Sequence, residues 1–284
     1  MSWTDLLGEA RERLRVAGIP EPESDARALL FSCFDLDLTK YLMRRDEPIP
    51  EGDARLAAFW RLVDRRCERI PLQHLLGQVF FMGLPFAVNG DVLIPRPDTE
   101  ILVETAAGLL GGRNDPARVL DLCTGSGCIA ISLTKLCPGI SCTAADLSGR
   151  ALAVAAKNAR SLGSRVFLIR SDLFAGLPGE ARFDLIVSNP PYIPSDEIRE
   201  LAPEVALHDP RMALDGGADG LYFYRRICME AGAFLTDGGY LCVEIGHEQA
   251  GAVCRLFEAA GFSEVSVKQD LAGLDRVVYG EWHV

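Results

Sequence analysis

No stretch of this chain approaches the ~18 consecutive apolar residues of a membrane-spanning helix, so a membrane protein is not expected. The opening MSWTDLLGEARERL is studded with acids and arginines and has no apolar signal core. A cytoplasmic location is therefore expected. No CxxC pair occurs among the nine cysteines, Cys33, Cys67, Cys123, Cys128, Cys137, Cys142, Cys228, Cys242 and Cys254. They are scattered through apolar segments, and no histidine lies near enough to complete a zinc pattern. Reduced core thiols and no metal are expected. The four histidines, His74, His208, His247 and His283, show neither metal-ligand nor nucleophile-activating spacing. Basic excess is missing too: 29 Lys and Arg stand against 40 Asp and Glu, a net charge of −11. Proteins that bind nucleic acid by neutralising its backbone need a basic face, so a general nucleic-acid binder is not expected. Repeats and low-complexity segments are also absent.

What is present divides into regions of different character. Hydrophobic residues make up 49% of 284, room for one large α/β domain and a smaller one. Residues 1–75 carry helical patterns and little strand signal. Leu6, Leu7, Ala10 and Leu14 follow the capping residues Ser2 and Thr4; Ala26, Leu29, Leu30 and Cys33 follow Pro22. A third stripe holds Leu56, Phe59, Trp60, Val63 and Cys67 and ends before Pro71. This region is close to neutral, with 12 Lys and Arg against 14 Asp and Glu. Its arginines suit a surface that meets a macromolecule; a solvated helical face accounts for them equally well. Residues 76–95 switch to short apolar runs broken by Gly-Leu-Pro and Asn-Gly, the punctuation of a β-hairpin linker. From residue 96 to 284, strands such as ARVLDL, ISCTAAD, RVFLIR and FDLIVSN alternate with helical stretches. That alternation indicates a mostly parallel sheet covered on both faces.

Within VLDLCTGSGCIAISL, a strand, a turn and a helix follow one another. Gly125, Gly127 and Ala130 fit the pattern that lets a backbone approach a nucleotide closely. Asp146 ends the next strand, nineteen residues after Gly127, where a carboxylate can hold both hydroxyls of a ribose. A dinucleotide dehydrogenase would rest a pyrophosphate on the helix N-terminus, and Asp121 just before the turn is unfavourable there. An acid at that place suits a cationic ligand end, such as the ammonium and sulfonium of S-adenosylmethionine. Further on, the apolar run FDLIV stops at VSNPPYI. Proline cannot donate a ladder hydrogen bond, so the strand must end there. The result is a rigid, donor-free corner carrying one amide and one phenol, at the strand ends where ligands of α/β sheets collect.

Taken in order, PLQHLLG, VLIPRPDTEILVE, LDLCTGSGCIAISL, SDLF, VSNPPYI, DPRMALDGGADGL and GGYLCVEIGHEQ resemble the protein-(glutamine-N5) methyltransferases that modify peptide chain release factors (the HemK/PrmC type). The resemblance runs from about residue 71 to the end, and the helical N-terminal region fits it. NPPY alone is shared with DNA adenine methyltransferases; IPRPDTE together with ALDGGADGL is not. The resemblance implies a class I methyltransferase (Rossmann-like) fold with a seven-stranded, mostly parallel sheet, whose last two strands form an antiparallel hairpin at one edge. It implies S-adenosylmethionine as cofactor, bound by Cys123, Thr124, Gly125, Ser126, Gly127, Asp146, Leu173 and Asn189. It implies methyl transfer to the glutamine of the Gly-Gly-Gln loop of release factors, by a monomer.

In that reading Asn189 and Pro190 do the catalytic work. The Asn189 side-chain oxygen accepts one amide N–H, a backbone carbonyl near Pro190 accepts the other, Pro191 stiffens the corner, and Tyr192 packs over the planar amide. Asp172 borders the adenine, Leu93 walls a glutamine channel, and Arg96 to Glu100 close the pocket or form interdomain salt bridges. The chain departs from the family pattern at Cys123, usually glycine, which raises the prospect of backbone strain. His74 stands for a frequent tyrosine, Asp209 for a frequent glutamate, and Leu173 where an aromatic lid can occur. Two rivals are methylation of adenine N6 in DNA and a non-catalytic partner of release factors. The acidic charge and lack of a base-recognition insert disfavour the first, and the intact NPPY disfavours the second.

Overall fold

Ser2 opens the first helix, α1 (Trp3–Val16), through a capping box: its hydroxyl accepts from the Asp5 amide while Asp5 accepts from the Ser2 amide. Thr4, the other capping candidate, instead donates its hydroxyl to the Arg45 carbonyl. Helix α2 (Pro22–Phe34) begins with proline in its first turn, and α4 (Ala54–Cys67) is capped by Asp53. Between them lies α3 (Leu38–Arg44), and after them the short α5 (Leu72–Leu76). Trp3, Leu6, Ala10 and Leu14 of α1, Leu29, Leu30 and Phe34 of α2, and Phe59 and Val63 of α4 are all buried in one core. The computed structural model describes residues 1–50, 52–111 and 116–284. They form two units: residues 1–77 with 202–208, and residues 78–201 with 209–284.

The second unit starts with a hairpin of β1 (Gln78–Phe81) and β2 (Leu84–Ala87). Its turn is Met82–Gly83, both at positive φ, as a two-residue primed turn requires. Asn89–Gly90 lies beyond the second strand. Then follow α6 (Thr99–Leu110), β3 (Arg118–Leu122), α7 (Cys128–Leu136), β4 (Ser141–Asp146), α8 (Gly149–Ser161), β5 (Val166–Arg170) and β6 (Phe183–Ser188). Helix α9 (Pro203–His208) belongs to the first unit. The chain continues with α10 (Tyr222–Ala231), β7 (Leu235–Glu244), α11 (Ala250–Ala260), β8 (Ser263–Gln269) and β9 (Asp275–Trp282).

Seven strands make one sheet in the order β5-β4-β3-β6-β7-β9-β8. The first five are parallel; β9 runs antiparallel to both β7 and β8, which stands at the edge. Side chains alternate across the faces with the period of two that a strand dictates. Val119, Leu185 and Val187 pack with α6 and α7, while Leu120, Leu122 and Ile186 pack with α10 and α11. From β3 the chain winds outward through β4 to β5, then returns to place β6 on the other side of β3. That reversal opens a crevice at the carboxyl ends of β3 and β6.

Candidate active site

Both motif loops leave the sheet at this crevice. Leu122, the last residue of β3, is paired with Ser188, the last of β6, and the Ser188 hydroxyl donates to the Leu122 carbonyl at 2.8 Å. The glycine turn and NPPY therefore start side by side.

The turn needs left-handed backbone at Cys123 (φ 58°), Gly125 (54°) and Gly127 (80°). Cys123 is the residue for which this conformation is costly, roughly 1–2 kcal/mol for an L side chain. A Cβ on Gly127 would stand 3.1 Å from both Ala155 Cβ and Ile131 Cδ1, so this glycine lets α7 start against α8. A Cβ on Gly125 would meet nothing within 4 Å. Its backbone faces open space, where a ligand can approach. The Gly125 amide donates to one oxygen of Asp146 at 2.8 Å, and the Ser148 amide donates to the other at 2.8 Å. Each oxygen keeps a lone pair for a further donor, and burial raises the Asp146 carboxyl above its ordinary range.

Asp121 lies beneath the turn with no exposure. One oxygen accepts from the Thr124 hydroxyl at 2.6 Å and the Ala130 amide at 3.2 Å. The other, Oδ1, has no hydrogen-bond partner among the described residues. Loss of water pushes this acid up to about 7; the Thr124 and Ala130 bonds oppose the rise, and the nearby Asp146 charge adds to it.

On the β6 side, the Asn189 Nδ2 donates to Thr99 Oγ1 at 3.2 Å. Pro190 is buried and Tyr192 half-buried. The Tyr192 hydroxyl donates to Glu244 Oε1 at 3.5 Å, and its carbonyl accepts from the Gln249 amide at 2.9 Å. DGGADGL presses against this corner. A Cβ on Gly216 would lie 2.7 Å from Tyr192 Cα, and one on Gly220 would lie 2.3 Å from the Tyr192 carbonyl oxygen. Those glycines are the reason the loop can buttress NPPY so closely.

A cavity of about 230 Å³ runs between the loops. Cys123, Thr124, Gly125, Ser126, Asp146, Asp172, Leu173, Asn189 and Pro191 line it, as do Leu93, Arg96 and Thr99. Gly127, Pro190 and Tyr192 are not part of that lining. The RPDTE segment has divided contacts. Arg96 pairs with Asp209 at 2.8 Å, Asp98 lies 3.4 Å from Arg276, and Glu100 accepts from the Met82 amide at the hairpin turn. Leu173 is buried with φ 49°. The aromatic ring in the lining is Phe223, which the sequence reading did not single out.

Glu244 and Thr99 were missed as partners of the corner. Glu244 ends β7 as Asp121 sits near the end of β3 and Asp146 ends β4, and that recurrence of acids at strand ends was the available signal. It is 2% exposed, and its Oε2 has no hydrogen-bond partner among the described residues. Burial pushes this acid up to about 7, against the Thr99 hydroxyl, the Arg276 charge and the Asn189 amide, which favour its ionised form. All nine cysteines are free thiols, and among the described residues no group of His, Cys, Asp or Glu is placed to hold a metal ion. Among those residues no helix is long and apolar enough to cross a membrane.

This strand order, with a glycine turn after the central strand, an acid ending the next and a cavity over both, defines a class I methyltransferase. The 16S rRNA N2 G1207 methyltransferase of T. thermophilus, solved with AdoMet and guanosine, shares the fold at 20% identity, with a TM-score of 0.53 over 72% of this chain and 50% of that one. Residues 98–218 match the methyltransferase small domain, and residues 5–77 match the PrmC N-terminal domain. The release factor glutamine methyltransferase of Agrobacterium fabrum is 44% identical over 95% of this chain and 93% of its own length. That of Cereibacter sphaeroides is 46% identical over 98% of each. The chain thus belongs to the release factor glutamine methyltransferase family, and it is an enzyme.

Proposed function

We propose that this enzyme methylates the side-chain N5 of the glutamine in the Gly-Gly-Gln loop of peptide chain release factors, with S-adenosylmethionine as donor, in support of translation termination. One observation carries the reading: Asn189 reaches the same cavity as the glycine turn and Asp146, with its Nδ2 already engaged by Thr99. Its Oδ1 end is then free to accept from a substrate amide. A glutamine amide is a poor nucleophile, because its nitrogen lone pair is delocalised into the carbonyl. The enzyme's task is to hold that nitrogen in line and to stabilise the charge it develops. Asn189 Oδ1 takes one N–H, the backbone carbonyl near Pro190 takes the other, and the two prolines hold these acceptors still.

The residues present fit the donor. The orphaned, buried Asp121 Oδ1 sits under the turn where a cationic ligand end would be balanced. Asp146 retains acceptor capacity for ribose hydroxyls, and Leu173 and Phe223 offer apolar surface to a base. When bound, S-adenosylmethionine supplies an electrophilic sulfonium methyl. The helical unit serves recognition of the release factor, because a single amide cannot distinguish one protein among many.

The test is transfer of tritiated methyl from S-adenosylmethionine to purified release factor or to duplex DNA. Label in release factor alone is expected. Label in DNA and none in release factor would overturn the reading in favour of adenine methylation.

A further inference from the structure

One polar side chain of α8 is sealed from water and bonded to two separate loops. Asn158 is 1% exposed. Its Oδ1 accepts from the Ala87 amide at 2.8 Å, and its Nδ2 donates to the Ala87 carbonyl at 3.0 Å and to the Ser126 carbonyl at 2.9 Å. A main-chain amide can only donate and a carbonyl can only accept, so these partners fix which end of the carboxamide is which. Ala87 ends β2, and the carboxamide takes both of its main-chain groups as a neighbouring strand would. Ser126 lies in the glycine turn.

Resting on the reading of the cavity as the place where methyl donor and glutamine meet, we infer that Asn158 is a positioning residue for methyl transfer. It sets the register between the glycine turn, which holds the donor, and the segment after β2, which walls the substrate's side. Both segments line the cavity: Leu93, Pro95 and Arg96 from the one, Thr124, Gly125 and Ser126 from the other. Asn158 itself is not part of that lining. It acts through the two backbones and does not touch the substrate.

One face of α8 supports both segments. Ala151 and Val154 pack with Val88 and Val92 in a small apolar cluster. A Cβ on Gly127 would stand 3.1 Å from Ala155 Cβ. Positions 151, 154, 155 and 158 recur at the spacing of a single helical face. The first three are apolar, and apolar contact is not directional: it holds the wall against the helix but permits it to slide. Hydrogen bonds have direction, and the three made by Asn158 stop that sliding for Ala87 and Ser126 together.

The test is single-turnover methyl transfer to release factor at saturating enzyme and cofactor, with calorimetry of S-adenosylmethionine binding and thermal melts on the same samples. Asn158→Ala removes all three bonds. Asn158→Gln keeps the oxygen and both N–H groups but carries them one methylene further out, so it can satisfy the backbone and still displace it. A misplacement of about 1 Å at a reacting centre can cost ~10²-fold in rate, and both variants are expected to lose about that much per folded molecule. Cofactor Kd should stay within about threefold of wild type, since Asp146 still holds Gly125 and Asp121 still holds Thr124. If Asn158 only satisfied buried backbone groups, melting points would fall while the rate per folded molecule held. A wild-type rate in either variant therefore overturns the assignment. A cofactor Kd weakened as much as the rate would overturn it too, by confining Asn158 to the donor's turn. Where Asn158→Ala does not fold, Asn158→Gln decides in the same way. A wild-type enzyme that transfers no methyl to release factor would instead overturn the reading beneath.

Discussion

The acids of the helical unit and those at the strand ends of the sheet unit are held in different ways. In the helical unit the buried Asp25 and the half-buried Glu204 each have a cation. Asp25 accepts from Arg66 at 2.7 Å; Glu204, on α9, takes Arg66 at 3.0 Å and Arg69 at 2.8 Å. Burial would raise Glu204, but the bonds from Arg69 and Arg66 win and hold it below its ordinary range. In the sheet unit Asp121 and Glu244 are buried more completely and neither forms an ion pair among the described residues, and both rise to about 7. Completed ion pairs hold structure together. An acid left without a cation behind the loops that border a cavity is costly to the fold, and strongly shifted acids of this kind concentrate where ligands bind or chemistry happens.

The sharpest way to break the contrast is to remove a cation from the paired set. Arg66→Ala strands Asp25 and half of Glu204, and one-sided loss of a buried pair costs about 3–5 kcal/mol. Chemical denaturation should show a large fall in stability; a loss under about 1 kcal/mol would make these pairs no better than surface ones.

Next in size is Gly220→Ala. Its Cβ would lie 2.3 Å from the Tyr192 carbonyl oxygen, at φ +71°. The corner must shift, and a misplacement of about 1 Å at a reacting centre can cost ~10²-fold in rate. The fall should appear in kcat, with cofactor affinity kept because the glycine turn is untouched. Unchanged turnover would show that the buttress does not set the corner.

Asp146→Ala removes the carboxylate that orders both Gly125 and Ser148 and that would hold the ribose. At about 1–3 kcal/mol for the polar groups left unpaired, S-adenosylmethionine should bind one to two decades more weakly. Calorimetry giving wild-type affinity would take Asp146 out of the cofactor site.

The smallest effect is in the pH dependence of stability. A carboxyl raised by folding takes up protons more readily in the native than in the unfolded state. The stability it contributes is complete below its unfolded pKa, near 4, and is lost as pH rises through about 7. Asp121→Asn and Glu244→Gln should each shrink the fall in melting temperature between pH 5 and pH 8. Glu204, whose pKa is lowered, works in the opposite direction: its contribution is present above the unfolded value and disappears in acid. Parallel wild-type and variant melting curves across that range would mean that neither acid is shifted as its burial implies.

Much of this was legible in the chain because it is local. The strand runs, the glycine turn with Asp146, and the stop at Asn-Pro-Pro each follow from neighbours in sequence, and the alternation of strands and helices implied the sheet. What escaped was held by distant partners. Asn189 meets Thr99 across 90 positions, and Arg69 meets Glu204 across 135. No periodicity in residues 195–210 announces that α9 belongs to the helical unit. VEIG reads as an ordinary strand end until folding brings Glu244 beside Tyr192. The glycines of DGGADGL were recognisable as a motif, but their cause, contact with the Tyr192 backbone, needed the fold.

The proposed role of the NPPY corner is to direct methylation to one glutamine side chain. Peptide mapping by mass spectrometry tests it most directly, on release factor incubated with S-adenosylmethionine and either the wild-type enzyme or Asn189→Ala. A single added methyl on the side-chain nitrogen of the Gly-Gly-Gln glutamine is expected with wild type, strongly reduced with the variant. A methyl on any other residue, or equal modification by both enzymes, would contradict it.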